Sequence, residues 1–504
     1  MAGIGFTLKR LAQKDDLFGV VHAYAVAMLA AAGPWIFTIL ALAGITNVYT
    51  NFFGLEGLLN FRVIIIYNFA FSLVLSAPVF MVATRYIADN MHHRNVTNVP
   101  SIMIGSMILS YAIQLPVGGF FYLAYVDLPL SLQISALLNL FMLTTVWLLG
   151  VFLTALKDYN AVSWTYGIGM LIAVIFAQVL KDIFGDVGML NGFTIGLAFI
   201  VFSLAAKVFS EYAYKFDKPF DIKSYFKKYW ELALGGLFYN AAIWVDKWIM
   251  WFAPESCMVY HSGESYGGIA AEQHANALAE SVGTGGMSMA QSCIEFGGGV
   301  ATGMRMYPDY DSAMFLAYLT IIPAMAVFVF AVETNFFERY QRFYDSILEH
   351  KPLRKILENQ KHITNSIINS ARNFIIVQGA IVFLAIVLAP QFFDFANISN
   401  RQIGIFRMGT LGAFFHVLLL FQMIILSYFD CRRRVMWLSF GYLALNAVLT
   451  LFTLEWGFPF YGYGYFLSSM LVFAITSVIL FNYIKKLPYH AFITNNNSIT
   501  HVKV

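Results

Sequence analysis

The stretch "FYNAAIWVDKWIMWF", residues 238 to 252, reads as a helix for lipid, yet it holds Asp246 and Lys247 side by side among tryptophans, with Asn240 two turns earlier. The surrounding chain says what the solvent is. Of 504 residues 59% are hydrophobic and only 12% charged, and the mean hydropathy is +0.68, more apolar surface than a soluble core hides. The chain is an integral membrane protein. A hydrocarbon layer about 30 Å thick needs about 20 apolar residues of helix, and twelve such runs follow one another. They cover 17–48, 63–84, 102–125, 131–156, 161–179, 193–209, 232–252, 313–332, 374–390, 405–429, 435–454 and 465–483. The expected fold is an all-α polytopic membrane protein, twelve transmembrane helices in two six-helix bundles with both termini cytoplasmic.

Orientation rests on Lys and Arg, which stay cytoplasmic during insertion. With the N-terminus inside, most of the 31 basic residues fall on inner segments, leaving Arg62, Lys181, Arg305 and Arg401 outside and Lys247 and Arg407 within spans. The net charge of +3 is then a matter of topology, and no basic domain fit for nucleic acid is present. The first run starts in a cytoplasmic segment without a separate secretory leader.

The seam "KVFSEYAYKFDKPFDIKSYFKKYWE" at 207–231 separates six runs from six. The organisation expected is a bundle at 1–206, a basic cytoplasmic linker at 207–231 and a second bundle at 232–504. That linker either lies along the headgroups or docks a partner. An outer loop at 253–312, rich in Gly, Ala and Ser, either is mobile or packs at the bundle mouth, with room for short helices. A cytoplasmic loop at 333–372 carries Phe336, Tyr340, Phe343 and Ile347 at helical steps, an amphipathic face for the interface or for a partner. Cys257 and Cys293 share the outer loop, where a disulfide is an option, while Cys431 sits beside three arginines.

Catalytic signals are lacking: the sequence has no nucleotide-binding phosphate loop, no HExxH, no GxSxG and no Cys/His cluster. No cofactor or metal is expected, and the chain is not read as an enzyme. Asp309 and Asp311 in "PDYDS" suit a helix start. Within the spans, Asp246 and Lys247 lie about 100° apart and, as neighbours, are not expected to neutralise one another. Lys247 then either snorkels to the headgroups among Trp244, Trp248 and Trp251 or lines a path with Asp246 and Asn240. Arg407 is a candidate partner for Asp246. Pro34 in "AAAGPWIF" is a candidate hinge, and His416 in the tenth run reads first as a packing residue.

The opening "MAGIGFTLKRL", the "AGPW" of the first run, "LFYNAAIWVDKWIMWF" and "YPDYDSAMFLAYLTIIPAMAVFVFAVETNFFERYQRFYD" resemble the PelG family of Pel exopolysaccharide exporters, within the multidrug/oligosaccharidyl-lipid/polysaccharide exporter superfamily. The resemblance implies two six-helix bundles around a cavity and passage of an amino-sugar polymer across a bacterial inner membrane for the biofilm matrix. It also implies the membrane partners PelD and PelE and the cytoplasmic glycosyltransferase PelF. Asp246 and Lys247 look like the acid–base pair of many such exporters, and the long loop from Ala253 departs from the family pattern. Two alternatives stay open: a lipid-linked oligosaccharide flippase or drug/cation antiporter, and a non-transporting scaffold for the synthase.

Overall fold

The computed structural model describes residues 17–53, 56–92, 98–156, 159–212, 219–254, 256–261, 300–395 and 398–494. The chain runs through α1 (Leu17–Phe53), α2 (Glu56–His92) and α3 (Val99–Phe120), the last closed by a π-helical turn at Phe121–Tyr125. Then come α4 (Leu130–Leu156), α5 (Tyr159–Glu211), the short α6 (Ile222–Lys228) and α7 (Trp230–Met250). Strands β1 (Cys257–His261) and β2 (Val300–Met306) precede α8 (Pro308–Leu319), α9 (Ile322–Phe330) and α10 (Phe337–Leu348). The rest is α11 (Leu353–Val387), α12 (Ala389–Phe395), α13 (Ile403–Tyr428), α14 (Arg432–Trp456) and α15 (Tyr463–Lys485). Among the described residues, nine helical stretches are long and apolar enough to cross a membrane.

Two expected spans share α5. Its 53 residues would reach about 80 Å if straight, far beyond a bilayer core of about 30 Å. The chain instead reverses at Gly185, whose φ of 62° only glycine adopts without penalty. Gly188, Gly192 and Gly196 line the returning run, where added Cβ atoms would overlap the Leu180 carbonyl, the backbone of Phe176 and Ala177, and Ala173 in turn. Small residues every fourth position let two helix backbones touch, as lipid-embedded helices favour. Lys181 and Asp186 close the turn with a 2.5 Å ion pair.

The eighth span is not one rod. Pro323, in the first turn of α9, has no N–H to continue the ladder, so the helix breaks at Thr320 and Ile321. Gln378 of α11 donates to the freed Thr320 carbonyl at 3.1 Å, which makes the break tolerable in lipid. The outer loop also differs from expectation. Where short helices had room, β1 and β2 pair antiparallel, Cys257 opposite Met306 and His261 opposite Val300; residues 262–299 lie outside the described chain. The ribbon is pinned by Tyr67 of α2, whose hydroxyl donates to the Arg305 carbonyl (2.8 Å) and accepts from the Arg305 N–H (3.1 Å).

The compact units do not follow the seam at 207–231. The first comprises Gly33–Ser312 with Ser439–Glu455, the second Met1–Ala32, Ala313–Leu438 and Trp456–Val504. In the first, α4 packs on α5 and α2, and α7 on α2. At that last contact a Cβ on Gly236 would stand 2.6 Å from Met81 and 3.2 Å from the Ala77 carbonyl. In the second, α13 packs on α15 and α11, and α10 on α11.

The linker holds to α2 through rings. Tyr225 meets Tyr86 edge-on at 4.8 Å, Tyr229 donates to Asp89 at 3.1 Å, and Arg85 lies over the Tyr229 ring at 5.2 Å. Between α13 and α14, Cys431 is a free thiol that burial pushes above its ordinary pKa against the opposing pull of Tyr483 and Arg434. Since the thiolate is the nucleophile, maleimide should label Cys431 at pH 7 more slowly than an exposed cysteine, and faster as pH rises; labelling at pH 7 as rapid as that of an exposed cysteine would contradict the burial.

Candidate functional site

α7 forms because nothing interrupts it between Trp230 and Met250 and because small Gly235, Gly236, Ala241 and Ala242 let it sit close to its neighbours. Asn446 of α14, fully buried, donates to the Ala242 carbonyl at 2.8 Å. Four residues further on, Asp246 is 0% and Lys247 8% exposed.

The two do neutralise each other, contrary to the reading from helical spacing. Lys247 Nζ lies 3.0 Å from Asp246 Oδ2 and 3.1 Å from Oδ1, and also donates to the Ile243 carbonyl at 2.9 Å. Backbone directions 100° apart are bridged by the lysine's four-carbon stem, which folds back along the helix instead of snorkelling outward. Tyr310 of α8 donates to Asp246 Oδ2 at 2.8 Å. A pair this buried is stable only while its remaining lone pairs and protons are met, and Tyr310 meets one of them.

A second carboxylate belongs to the same site. Asp311 accepts from Trp251 Nε1 at 3.1 and 3.0 Å and from the Tyr307 N–H at 3.1 Å, and Arg62, Asp246 and Lys247 all lie within its electrostatic reach. Two carboxyl groups and two basic side chains thus share the site. Trp251 in turn stacks on Tyr67 (4.4 Å), Tyr67 on Phe121 (5.2 Å) and Phe121 on Tyr125 (5.7 Å), a column of four rings that ends at the half-exposed Tyr125. Arg305 covers the face of the exposed Phe252 at 5.3 Å. Charge and aromatic surface therefore meet where α2, α7 and α8 come together.

Not all expected site residues gather here. Asn240 donates to the Gly236 carbonyl of its own helix at 2.9 Å, and Trp244 is half-buried on α7. Arg407 belongs to the second unit, where its Nε donates to the Ile386 carbonyl at 3.3 Å. Pro34 sits inside an unbroken α1, its carbonyl accepting from Thr38 at 2.8 Å, and the boundary between the units falls between Ala32 and Gly33. His416 pairs with the buried Tyr465 hydroxyl at 2.8 Å. Cys257 is disulfide-bonded; Cys293 lies outside the described residues.

The aromatic face proposed for a partner is filled from within the second unit. Phe336 (1% exposed) and Phe343 (0%) are core residues, Phe336 packing on Tyr428 and Phe429, and Tyr340 donates to the Tyr428 carbonyl at 3.0 Å. Ile347 is half-buried. The stripe seats α10 on its own bundle because that bundle offers the matching rings. Sequence reasoning missed Tyr310, Asp311, Trp251 and Tyr67 as members of the charged site. "PDYDS" was the available signal, read as a helix start, and Asp309 and Asp311 do occupy the first turn of α8.

The fold is that of the MATE-type transporters. It aligns with an outward-facing multidrug resistance MATE family transporter of the MOP superfamily over 97% of this chain and 100% of that one, at 13% identity and a TM-score of 0.62. A MATE transporter in the bent conformation gives 0.61 at 13% identity, over 97% of this chain and 99% of that one. A MOP superfamily transporter from Pyrococcus furiosus gives 0.59, also at 13% identity, over 97% of this chain and 100% of that one. No curated protein matches the sequence closely enough to count as a relative. The chain belongs to the PelG family, described as "Putative exopolysaccharide Exporter (EPS-E)", whose model matches residues 1–263 and 294–492.

Proposed function

We propose that this protein carries the Pel exopolysaccharide, an amino-sugar polymer, across the bacterial inner membrane as part of a synthase–export complex with PelD, PelE and PelF. In this reading the chain crosses the membrane twelve times, α5 and the α8–α9 pair each contributing as described, and both termini are cytoplasmic. It acts as a flippase-like conduit in biofilm matrix production and performs no bond chemistry of its own.

The observation that carries the reading is the Asp246–Lys247 pair, buried in a helix of a transporter fold and joined to Tyr310. Ionisable groups at that depth are expensive, and they mark pathways more often than they serve packing. At the outer end of the ring column beside them, the exposed Tyr125 gives a sugar ring a face to stack on, as aromatic surfaces do for apolar ring faces.

The test is the location of the polymer in producing cells that lack the chain, with and without its restoration. Polymer held inside in its absence and released on restoration is the expected result; normal release without the chain overturns the reading. The MATE-type fold gives one alternative, a drug or cation antiporter or a lipid-linked oligosaccharide flippase. Small-cation or lipid-linked sugar transport by the purified chain alone in vesicles would favour it.

A further inference from the structure

A second polar feature runs inside the first unit, made wholly of neutral groups. On α2, Asn68, Ser72 and Ser76 follow at steps of four, and on α3 Ser106, Ser110 and Gln114 do the same; all six are 0% exposed. The α2 row is internally satisfied. Asn68 donates at 3.0 Å to Asn139 and to the Ala136 carbonyl and accepts from Tyr122 at 2.7 Å. Ser72 accepts from Trp147 at 3.2 Å, and Ser76 donates to the Ser72 carbonyl at 2.5 Å.

The α3 row is not. Ser106 Oγ, Ser110 Oγ and Gln114 Nε2 are buried without a hydrogen-bond partner. Turning the Gln114 amide over does not help. Thr144 Oγ1 lies 2.6 Å from Gln114 Oε1 and 2.9 Å from the Leu140 carbonyl, and its single proton serves one of them. Either orientation leaves one amide atom unmet.

Spacing indicates what meets these groups. Four helical residues rise about 6 Å, the span of one water making two hydrogen bonds of about 2.8 Å each. We propose that Ser106, Ser110 and Gln114 bind a file of internal water along α3. Water suits the row because each molecule finds two or more polar partners there, which buried water needs. A metal cation does not suit it: the row and its neighbour Thr144 offer hydroxyls and an amide with no carboxylate, and an unpaired charge at such depth is costly. The file starts beneath the linker, at Gly105, where an added Cβ would overlap the Pro219 carbonyl. It leads toward the Asn68–Tyr122 bond, one residue along each helix from Tyr67 and Phe121 of the ring column.

This inference stands apart from the transport reading, and its test needs no substrate. Hydroxyl-radical footprinting of the purified full chain, read by mass spectrometry, reports residues next to bound water. Met103 is 1% exposed and Tyr111 lies on the same helix, bonded to Thr145. The expected result is modification of Met103 or Tyr111 in the folded protein, falling several-fold in Gln114→Met or Ser110→Ala. Two substitutions keep the test usable if one of them folds poorly. Absence of modification at both residues, or modification unchanged by either folded variant, overturns the proposal.

Discussion

Replacing Asp246 with asparagine should stop polymer from leaving the cell. Asparagine keeps the shape, and its carbonyl can still accept from Tyr310, which now bonds Asp246 Oδ2 at 2.8 Å. Lys247 keeps the Ile243 carbonyl but loses its counter-charge. The reverse change, Lys247→Met, leaves a fully buried carboxylate that has lost its cation and keeps the neutral Tyr310 donor. Breaking a buried pair from one side costs about 3–5 kcal/mol, whereas replacing both partners is often neutral. The double variant Asp246→Asn/Lys247→Met should therefore recover much of the stability lost in Lys247→Met, read as the thermal midpoint in detergent. It should not recover secretion. That combination would separate a role in the conduit from a role in folding, and wild-type secretion by the double variant would reduce the pair to a structural device.

Gly192→Leu should cause a large loss of folded protein. Its added Cβ would overlap the backbone of Phe176 and Ala177, and backbone cannot swing aside as a side chain does. Overpacking typically costs about 1–3 kcal/mol and more where nothing relaxes, so a steep fall in membrane level and midpoint is expected. Gly185→Ala, which faces open space but has a φ of 62°, should cost about 1 kcal/mol. Gly119→Ala, with nothing within 4 Å, should be nearly silent. Equal behaviour of Gly192→Leu and Gly119→Ala would mean that the two runs of α5 are not in contact.

The membrane class and the family were legible because long apolar runs and the "VDKW" and "PDYDS" blocks survive in one sequence. The break at Thr320 was not, because it lies inside a segment whose hydropathy does not fall, and a window that averages apolarity merges the halves around Pro323; Gly185, by contrast, falls in the polar gap left between the runs 161–179 and 193–209. Spacing along one helix also misjudged Asp246 and Lys247, because it fixes where Cβ atoms point and says nothing of a long stem that bends back. Asp311 and Tyr310 could not be joined to the pair in advance. They arrive from a helix beyond the long segment after Ala253, and only the packing of α7, α8 and α2 shows Trp251 reaching Asp311. The aromatic stripe on α10 is amphipathic as its spacing indicates, but periodicity does not reveal whether a face is covered by its own bundle.

The reversal at Gly185 also bears on how the chain is made. With the Lys181–Asp186 ion pair closing the connection and no extended loop beyond it, the two runs of α5 have no slack with which to enter the bilayer one after the other. They would leave the insertion machinery as a preformed pair, the glycine face already covered, and the charged turn would be translocated once, with Lys181 and Asp186 neutralising one another.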